Sequence, residues 1–203
     1  MSSYTISKSF TAEYSHRVHC QIINSDYTER GHTQPKCRHI HGHSGHFLIE
    51  LISESLNPQD MVVDLVWLGW FKNFIDDNID HKFILDINDP IFSLLTNGKT
   101  IKTSGEFPFN FIRIDKEESY NIKNVFVPGT DKVAGMVLDL HDLPEGPEKE
   151  YFESFFFVNF VPSSENLSKF LFELVDAKMS LIGVKTNRVE FKETPKSCAT
   201  YTG

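Results

Sequence analysis

The stretch Cys37-Arg38-His39-Ile40-His41-Gly42-His43, running on through Ser44-Gly45 into His46-Phe47-Leu48-Ile49-Glu50-Leu51-Ile52, carries both the fold signal and the chemistry of this chain. Its second half is β-branched and aromatic and stops at the turn material Ser53-Glu54-Ser55-Leu56-Asn57-Pro58, a pattern that predicts a strand. In extended backbone, side chains at i and i+2 leave one face, with α-carbons about 6.6 Å apart at ~3.3 Å per residue. That spacing lets His41 and His43 grip one metal ion. Zinc is the natural ion, because it takes neutral imidazole nitrogens at about 2.0–2.1 Å and its catalytic sites keep three protein ligands and one open position.

A third ligand has to come from another element. Phe10-Thr11-Ala12-Glu13-Tyr14-Ser15-His16 also reads as a strand, with Phe10, Ala12, Tyr14 and His16 on one face, and His16 is the candidate. Cys37 and His39 share the parity of His41 and His43, so either competes for the ion if that strand starts early. Parity alone does not choose among them.

Working outward, Met61-Val62-Val63 predicts a short strand that stops at Asp64. From Leu65 to Ile79, apolar residues at Leu68, Phe71, Phe74, Ile75 and Ile79 keep a helical period, with Asp64 placed to cap the first turn. Pro162-Ser163-Ser164-Glu165 marks a second helix start, and Leu167, Phe170, Leu171 and Leu174 follow at the spacing of a face turned to a sheet. After Gly183, Arg188 to Glu193 alternates like a final strand. Between these halves, from about Ile91 to Phe160, Phe107-Pro108-Phe109-Asn110-Phe111 and Phe152 to Phe160 read as additional strands between Pro- and Gly-containing loops, too apolar for a disordered linker. The run Gly135 to Leu143 echoes Met61 to Leu68, which we read as coincidence or a shared strand-to-turn solution. A β-rich sheet with two helices is an α+β pattern.

The length of 203 residues suits one domain, or one domain with a large insertion, and such a chain buries roughly 70% of its unfolded surface without staples. A metal would then serve chemistry and not hold the fold together. A net charge of −8 argues against broad nucleic-acid or anionic-membrane binding. Three cysteines, at positions 20, 37 and 198, do not form a disulfide framework, and the N-terminus shows no basic-then-apolar signal segment, so a reducing, cytoplasmic location is expected. The longest apolar stretches, His46 to Ile52 and Phe155 to Val161, fall far short of the ~20 residues that span a bilayer.

Several separated motifs together resemble one family. Phe10 to Arg17, Cys37-x-x-x-His41-Gly42-His43, Met61-Val62-Val63-Asp64-Leu65, Asp80-His81, Pro162-Ser163-Ser164-Glu165-Asn166-Leu167, and Lys192-Glu193-Thr194 ahead of Tyr201 resemble, in order, the 6-pyruvoyl-tetrahydropterin synthase family. The likeness is strongest to its bacterial 6-carboxy-5,6,7,8-tetrahydropterin synthase branch of the queuosine pathway. The resemblance implies the tunnelling fold: an antiparallel sheet with two helices on one face, whose subunits, usually six, join their sheets into a β-barrel with active sites at subunit interfaces. It implies one such unit over residues 1–203, with a β-rich segment inserted at about 91–160.

It also implies roles for particular residues. His16, His41 and His43 would hold Zn2+, with His39 a neighbour. Cys37 would be the general base, because a thiol of ordinary pKa near 8.5 becomes a useful thiolate beside a cation. Asp80 and His81 would relay protons, the carboxylate orienting the imidazole. Glu193 shares a strand face with Val189 and Phe191 and needs a partner there, which the amino-pyrimidinone edge of a pterin supplies through paired N–H donors. Arg17, Lys36 and Arg38 are candidate triphosphate contacts, while Cys20 and Cys198 read as packing or loop residues. The implied activity is that of a zinc-dependent lyase converting 7,8-dihydroneopterin triphosphate to 6-carboxytetrahydropterin, acetaldehyde and triphosphate. The rivals are the 6-pyruvoyl-forming triphosphate elimination and a non-catalytic pterin- or zinc-binding module.

Overall fold

Strands β1 (Tyr4–His16) and β2 (His41–Ser53) pair antiparallel over their whole length, from Tyr4 opposite Ser53 to His16 opposite His41. The structure, a computed structural model, describes residues 3–22, 35–96, 100–102 and 119–203. The alternation read in the sequence becomes two faces of one ribbon. Phe10, Ala12, Tyr14 and His16 on β1 are buried with Phe47, Ile49 and Leu51 on β2, whereas Glu13, Ser15 and Ser44 lie on the other side.

The β1–β2 ribbon grows in both directions. On the β2 side, β8 (Lys185–Thr194) pairs antiparallel, and β9 (Ser197–Thr202) follows across a tight turn. The sequence reading ended at β8. It missed β9 because Ala199 and Tyr201 give only a weak inward alternation between exposed neighbours. On the β1 side, β3 (Lys82–Asp86) runs parallel to β1, and β7 (Phe155–Val158) runs parallel to β3. Beyond them lie β6 (Val133–Leu138), β5 (Ser119–Phe126) and β4 (Thr100–Lys102), giving a nine-stranded sheet of order β4-β5-β6-β7-β3-β1-β2-β8-β9. The α+β expectation holds. Within it, the antiparallel pattern describes β1, β2, β8 and β9, and a parallel seam at β1-β3-β7 joins them to β6, β5 and β4.

Two long helices cover one face, as expected. Helix α1 (Gly69–Asn78) contributes Phe71, Phe74 and Ile75 to a cluster that also holds Phe10, Phe47, Ile49 and Phe191. A second short helix, α2, spans Phe92–Leu95, and a third, α3, spans Pro147–Glu153; the periodicity announced neither, since each is too brief to repeat its pattern. Helix α4 (Ser164–Met179) starts where Ser163 accepts the Asn166 N–H at 3.4 Å, and it buries Leu167, Phe170, Leu171 and Leu174 in the same cluster as α1. Phe152 of α3 packs with Phe83, Leu85, Phe155 and Phe157 in a second cluster, while Ile84, Phe156 and Val158 belong to the first. Strands β3 and β7 are therefore buried on both faces, which is why Phe155-Phe156-Phe157-Val158 is unbroken apolar sequence.

Three expectations change. Met61-Val62-Val63 is not a strand: the side chain of Asn57 accepts the N–H groups of Gln59 and Met61, a local solution that removes the need for a ladder partner. The helix expected from Leu65 begins as a 3-10 turn over Leu65–Leu68, with Asp64 accepting the Val66 N–H at 2.9 Å, and becomes α-helical at Gly69. Phe152 is helical, so the strand read from it starts at Phe155. The strand expected at Phe107 to Phe111 lies outside the described residues.

One contact fixes how β6 meets β7. A Cβ built on Gly135 would sit 2.3 Å from the Phe156 ring tip, so glycine is what lets that ring lie across β6. Gly135→Ala is expected to destabilise the protein by ~1–3 kcal/mol through overpacking, read as a lowered urea midpoint at unchanged slope.

Candidate metal centre

The end of β1 and the start of β2 face each other. Register sets His16 opposite His41 and Tyr14 opposite His43, so one cross-strand pair plus an i+2 neighbour brings three imidazoles to one corner of the sheet. Ring centroids are 4.6 Å apart for His16 and His41, 5.2 Å for His16 and His43, and 4.9 Å for His41 and His43. One ligand atom from each, together with a carboxylate oxygen of Glu193, lies within 4.8 Å of all the others.

Hydrogen bonds fix which nitrogens face inward. Nδ1 of His16 lies 2.5 Å from the carbonyl oxygen of Pro162, and Nδ1 of His41 lies 2.8 Å from that of His39. A carbonyl only accepts, so each Nδ1 carries the proton and each Nε2 presents a lone pair. Among the described residues, Nε2 of His16 and Nε2 of His43 are buried without an aligned hydrogen-bond partner, yet approach Glu193 Oε1 at 3.0 and 3.3 Å. Lone pairs facing a carboxylate oxygen at that range repel it. A proton on Nε2 or a divalent cation among the four groups relieves the repulsion, and the donor set suits such a cation.

The charge states agree. With a proton on Nε2 in place of the cation, His16 donates to Glu193 and holds its carboxyl below the usual range; burial works against this, and the charges of His16 and His43 and the Ser164 hydroxyl assist it. Burial pushes the His43 pKa down, opposed by Glu193 and helped by the other two imidazoles, which favours the neutral ring that binds metals.

Tyr14 also belongs to this corner, although the sequence reading placed it only on the apolar face. Its ring lies 5.3 Å from that of His16 and 5.9 Å from that of His43, and among the described residues its buried hydroxyl has no aligned hydrogen-bond partner, although Glu193 acts on it. Burial, reinforced by the charge of Glu193, raises its pKa and keeps the phenol protonated. A Cβ on Gly45 would fall 2.9 Å from the Tyr14 ring, so the glycine makes room for it.

Cys37 stands apart from the four converging groups. Strand β2 begins at His41, and Cys37 lies in a 3-10 turn over Lys36–Arg38, so the parity that made Cys37 and His39 competing ligands does not reach back to either. The thiol is half-buried, whereas Cys20 and Cys198 are free and exposed, so neither is a packing residue. Arg17 Nε lies 3.0 Å from the buried carboxylate of Asp89, which ties the guanidinium to the turn after β3.

Asp80 and His81 occupy the turn between α1 and β3. His81 adopts a left-handed φ of 57°, and that turn lets neighbouring side chains meet: His81 Nδ1–H donates to Asp80 Oδ2 at 2.8 Å. Asp80 Oδ1 accepts the Glu13 N–H at 2.8 Å, and the His81 N–H donates to the Glu13 carbonyl, which clamps the pair to β1. Burial opposes the charged form of Asp80, but the Glu13 N–H and the His81 ring outweigh it and hold the carboxyl below its ordinary range. The His81 ring is 78% exposed and borders a groove of about 370 Å³ whose lining includes Glu13, Ser15, Ser44 and Lys82. Glu13, Ser15 and Ser44 lie on the sheet face opposite the imidazoles, and Tyr14 and His43 also line the groove. Within one chain, the structure gathers His16, His41, His43 and Glu193, and holds Asp80 with His81 elsewhere.

The model of the family described as 6-pyruvoyl tetrahydropterin synthase matches residues 5–203. The chain belongs to the 6-pyruvoyl tetrahydropterin synthase family. Within that family it is similar to the 6-carboxy-5,6,7,8-tetrahydropterin synthase of Aquifex aeolicus, 26% identical over 206 residues that cover 98% of this chain and 97% of the relative. Among solved structures, an uncharacterized protein from Wolinella succinogenes matches at a TM-score of 0.78 and 33% identity, covering 100% of this chain and 99% of that one. The 6-pyruvoyl tetrahydropterin synthase of Caenorhabditis elegans, at 20% identity and a TM-score of 0.51 over 100% and 97% of the two chains, shares the fold. The tunnelling-fold reading therefore stands, and the chain is a pterin synthase of lyase type by family.

Proposed function

We propose that the protein is a zinc-dependent 6-carboxy-5,6,7,8-tetrahydropterin synthase, converting 7,8-dihydroneopterin triphosphate and water to 6-carboxytetrahydropterin, acetaldehyde and triphosphate on the route to 7-deazaguanines such as queuosine. The observation that carries this reading is the convergence of His16, His41, His43 and Glu193 within 4.8 Å. The Aquifex aeolicus relative supports the choice of product.

His16, His41 and His43 would hold the ion through their inward nitrogens. Zinc, when bound, supplies a Lewis acid that acidifies a side-chain hydroxyl of the substrate. Cys37 removes a proton from that side chain, and His81, oriented and supported by Asp80, exchanges one on its other side. Glu193, ionised beside the imidazoles, accepts the paired N–H groups of the pterin ring. Asp80 and His81 are held outside the group formed by His16, His41, His43 and Glu193, which supports a complete centre that takes His81 from one subunit and the metal group from its neighbour. This fits a hexameric barrel of cytoplasmic subunits, each a single tunnelling-fold unit over residues 1–203 with its insertion at about 91–160.

Incubating the zinc-loaded protein with 7,8-dihydroneopterin triphosphate and identifying products by mass spectrometry tests the reading. Acetaldehyde with a 6-carboxy product is expected. A 6-pyruvoyl product without acetaldehyde would make the protein the eliminating enzyme instead, and neither product would leave only a binding module. For Glu193→Gln, zinc content is expected to hold while kcat/KM falls by about 10- to 100-fold, since a charge-assisted bidentate acceptor becomes a neutral one. Zinc loss in that variant, measured by atomic emission, would make Glu193 a ligand.

A further inference from the structure

The segment leaving β1 is clamped by two buried carboxylates. Asp86 and Asp89, at the end of β3 and in the turn after it, are 3% and 4% exposed. Each divides its oxygens between two tasks. Asp86 Oδ1 accepts the Asn88 N–H at 2.9 Å, and Asp89 Oδ1 accepts the Ile91 N–H at 2.9 Å, which shapes their own turn. The other oxygens reach across: Asp86 Oδ2 lies 3.0 Å from His19 Nε2, and Asp89 Oδ2 lies 3.0 Å from Arg17 Nε. Buried carboxylates need such partners, and here the partners are i and i+2 on one short segment.

What that segment holds is Cys37. Val18, between the two clamped side chains, donates its N–H to the Cys37 carbonyl at 2.7 Å. Gln21, whose own N–H donates to the Val18 carbonyl at 3.1 Å, accepts the Cys37 N–H through Oε1 at 3.0 Å. Both peptide groups of the cysteine thus rest on residues 18–21, and those residues rest on Asp86 and Asp89.

We infer that Asp86 and Asp89, acting through His19 and Arg17, are positioning residues that seat the Cys37 turn for proton transfer. The inference rests on the reading of Cys37 as the base. It also links the turn after β3, from which the chain runs on to β4, to the chemistry of the site.

The test compares the zinc-loaded full chain with His19→Ala, His19→Gln and Asp86→Asn. It measures kcat, KM, bound zinc, and the rate of iodoacetamide labelling at Cys37 relative to the exposed Cys198. His19 lies at the margin of the clamp, so His19→Ala keeps the fold where Asp86→Asn fails. For His19→Ala we expect kcat to fall about 10- to 100-fold with KM within about twofold, zinc unchanged, and Cys37 labelling raised at least about threefold. Glutamine at position 19 restores an N–H donor to Asp86 and should recover most of both effects. Wild-type kcat and labelling in His19→Ala would overturn the inference, as would a fall in kcat with unchanged labelling or with loss of zinc. Labelling reads the seat of the thiol whether or not the thiol is the base, so full activity in a Cys37→Ala variant would remove the base and leave the clamp separately measured.

Discussion

Replacing His41 by alanine is expected to empty the metal centre and abolish turnover. His41 supplies one of three inward imidazole nitrogens, and its Nδ1–H is spent on the His39 carbonyl, so the ligand lost with its ring is the inward Nε2. Losing a ligand should cost more than the about 10–100-fold in metal affinity that follows loss of an outer hydrogen-bond partner. The change is local. His41 is the first residue of β2, outside both buried clusters, so the metal-free variant should unfold within about 0.5 kcal/mol of the metal-free parent. Zinc measured after dialysis, beside a denaturation curve, checks both statements. Stoichiometric zinc in the alanine variant would remove His41 from the site.

Cys37→Ala should give the opposite pattern: metal retained, turnover lost. The thiol stands on its own 3-10 turn outside the group of four, so its removal leaves the imidazole geometry alone. A positioned acid or base contributes typically 10²–10⁴-fold, and kcat should fall by about that factor with zinc content unchanged. Unchanged kcat would show that another group takes the proton.

The two variants separate binding of the ion from movement of the proton, and the sequence pointed at both residues for different reasons. Alternation along Phe10 to His16 and along His41 to Ile52 is a local property of extended chain, so the shared face of His16, and separately of His41 and His43, could be read residue by residue. The same local reasoning found the Ser163 cap and the buried stripe of α4. It failed at Met61 to Val63, where a β-branched run is held by the Asn57 side chain in place of a neighbouring strand. It also passed over Tyr14, since a tyrosine on an apolar face looks the same whether its hydroxyl meets solvent or an ionised carboxylate.

Which strands became neighbours was decided elsewhere. That His16 lies opposite His41, that Glu193 arrives from β8 against them, and that β3 and β7 run parallel beside β1 all depend on pairings between residues far apart in the chain, and no period in the sequence encodes those. The placement of Asp80 and His81 is of the same kind. The sequence by itself determined the ligand types, their spacing and the faces they share, because period-2 alternation is set by the backbone at each residue. Only the tertiary structure decided that three imidazoles and a carboxylate converge while the Asp80–His81 pair is held in the turn between α1 and β3, because register and strand order are settled by burying two clusters at once.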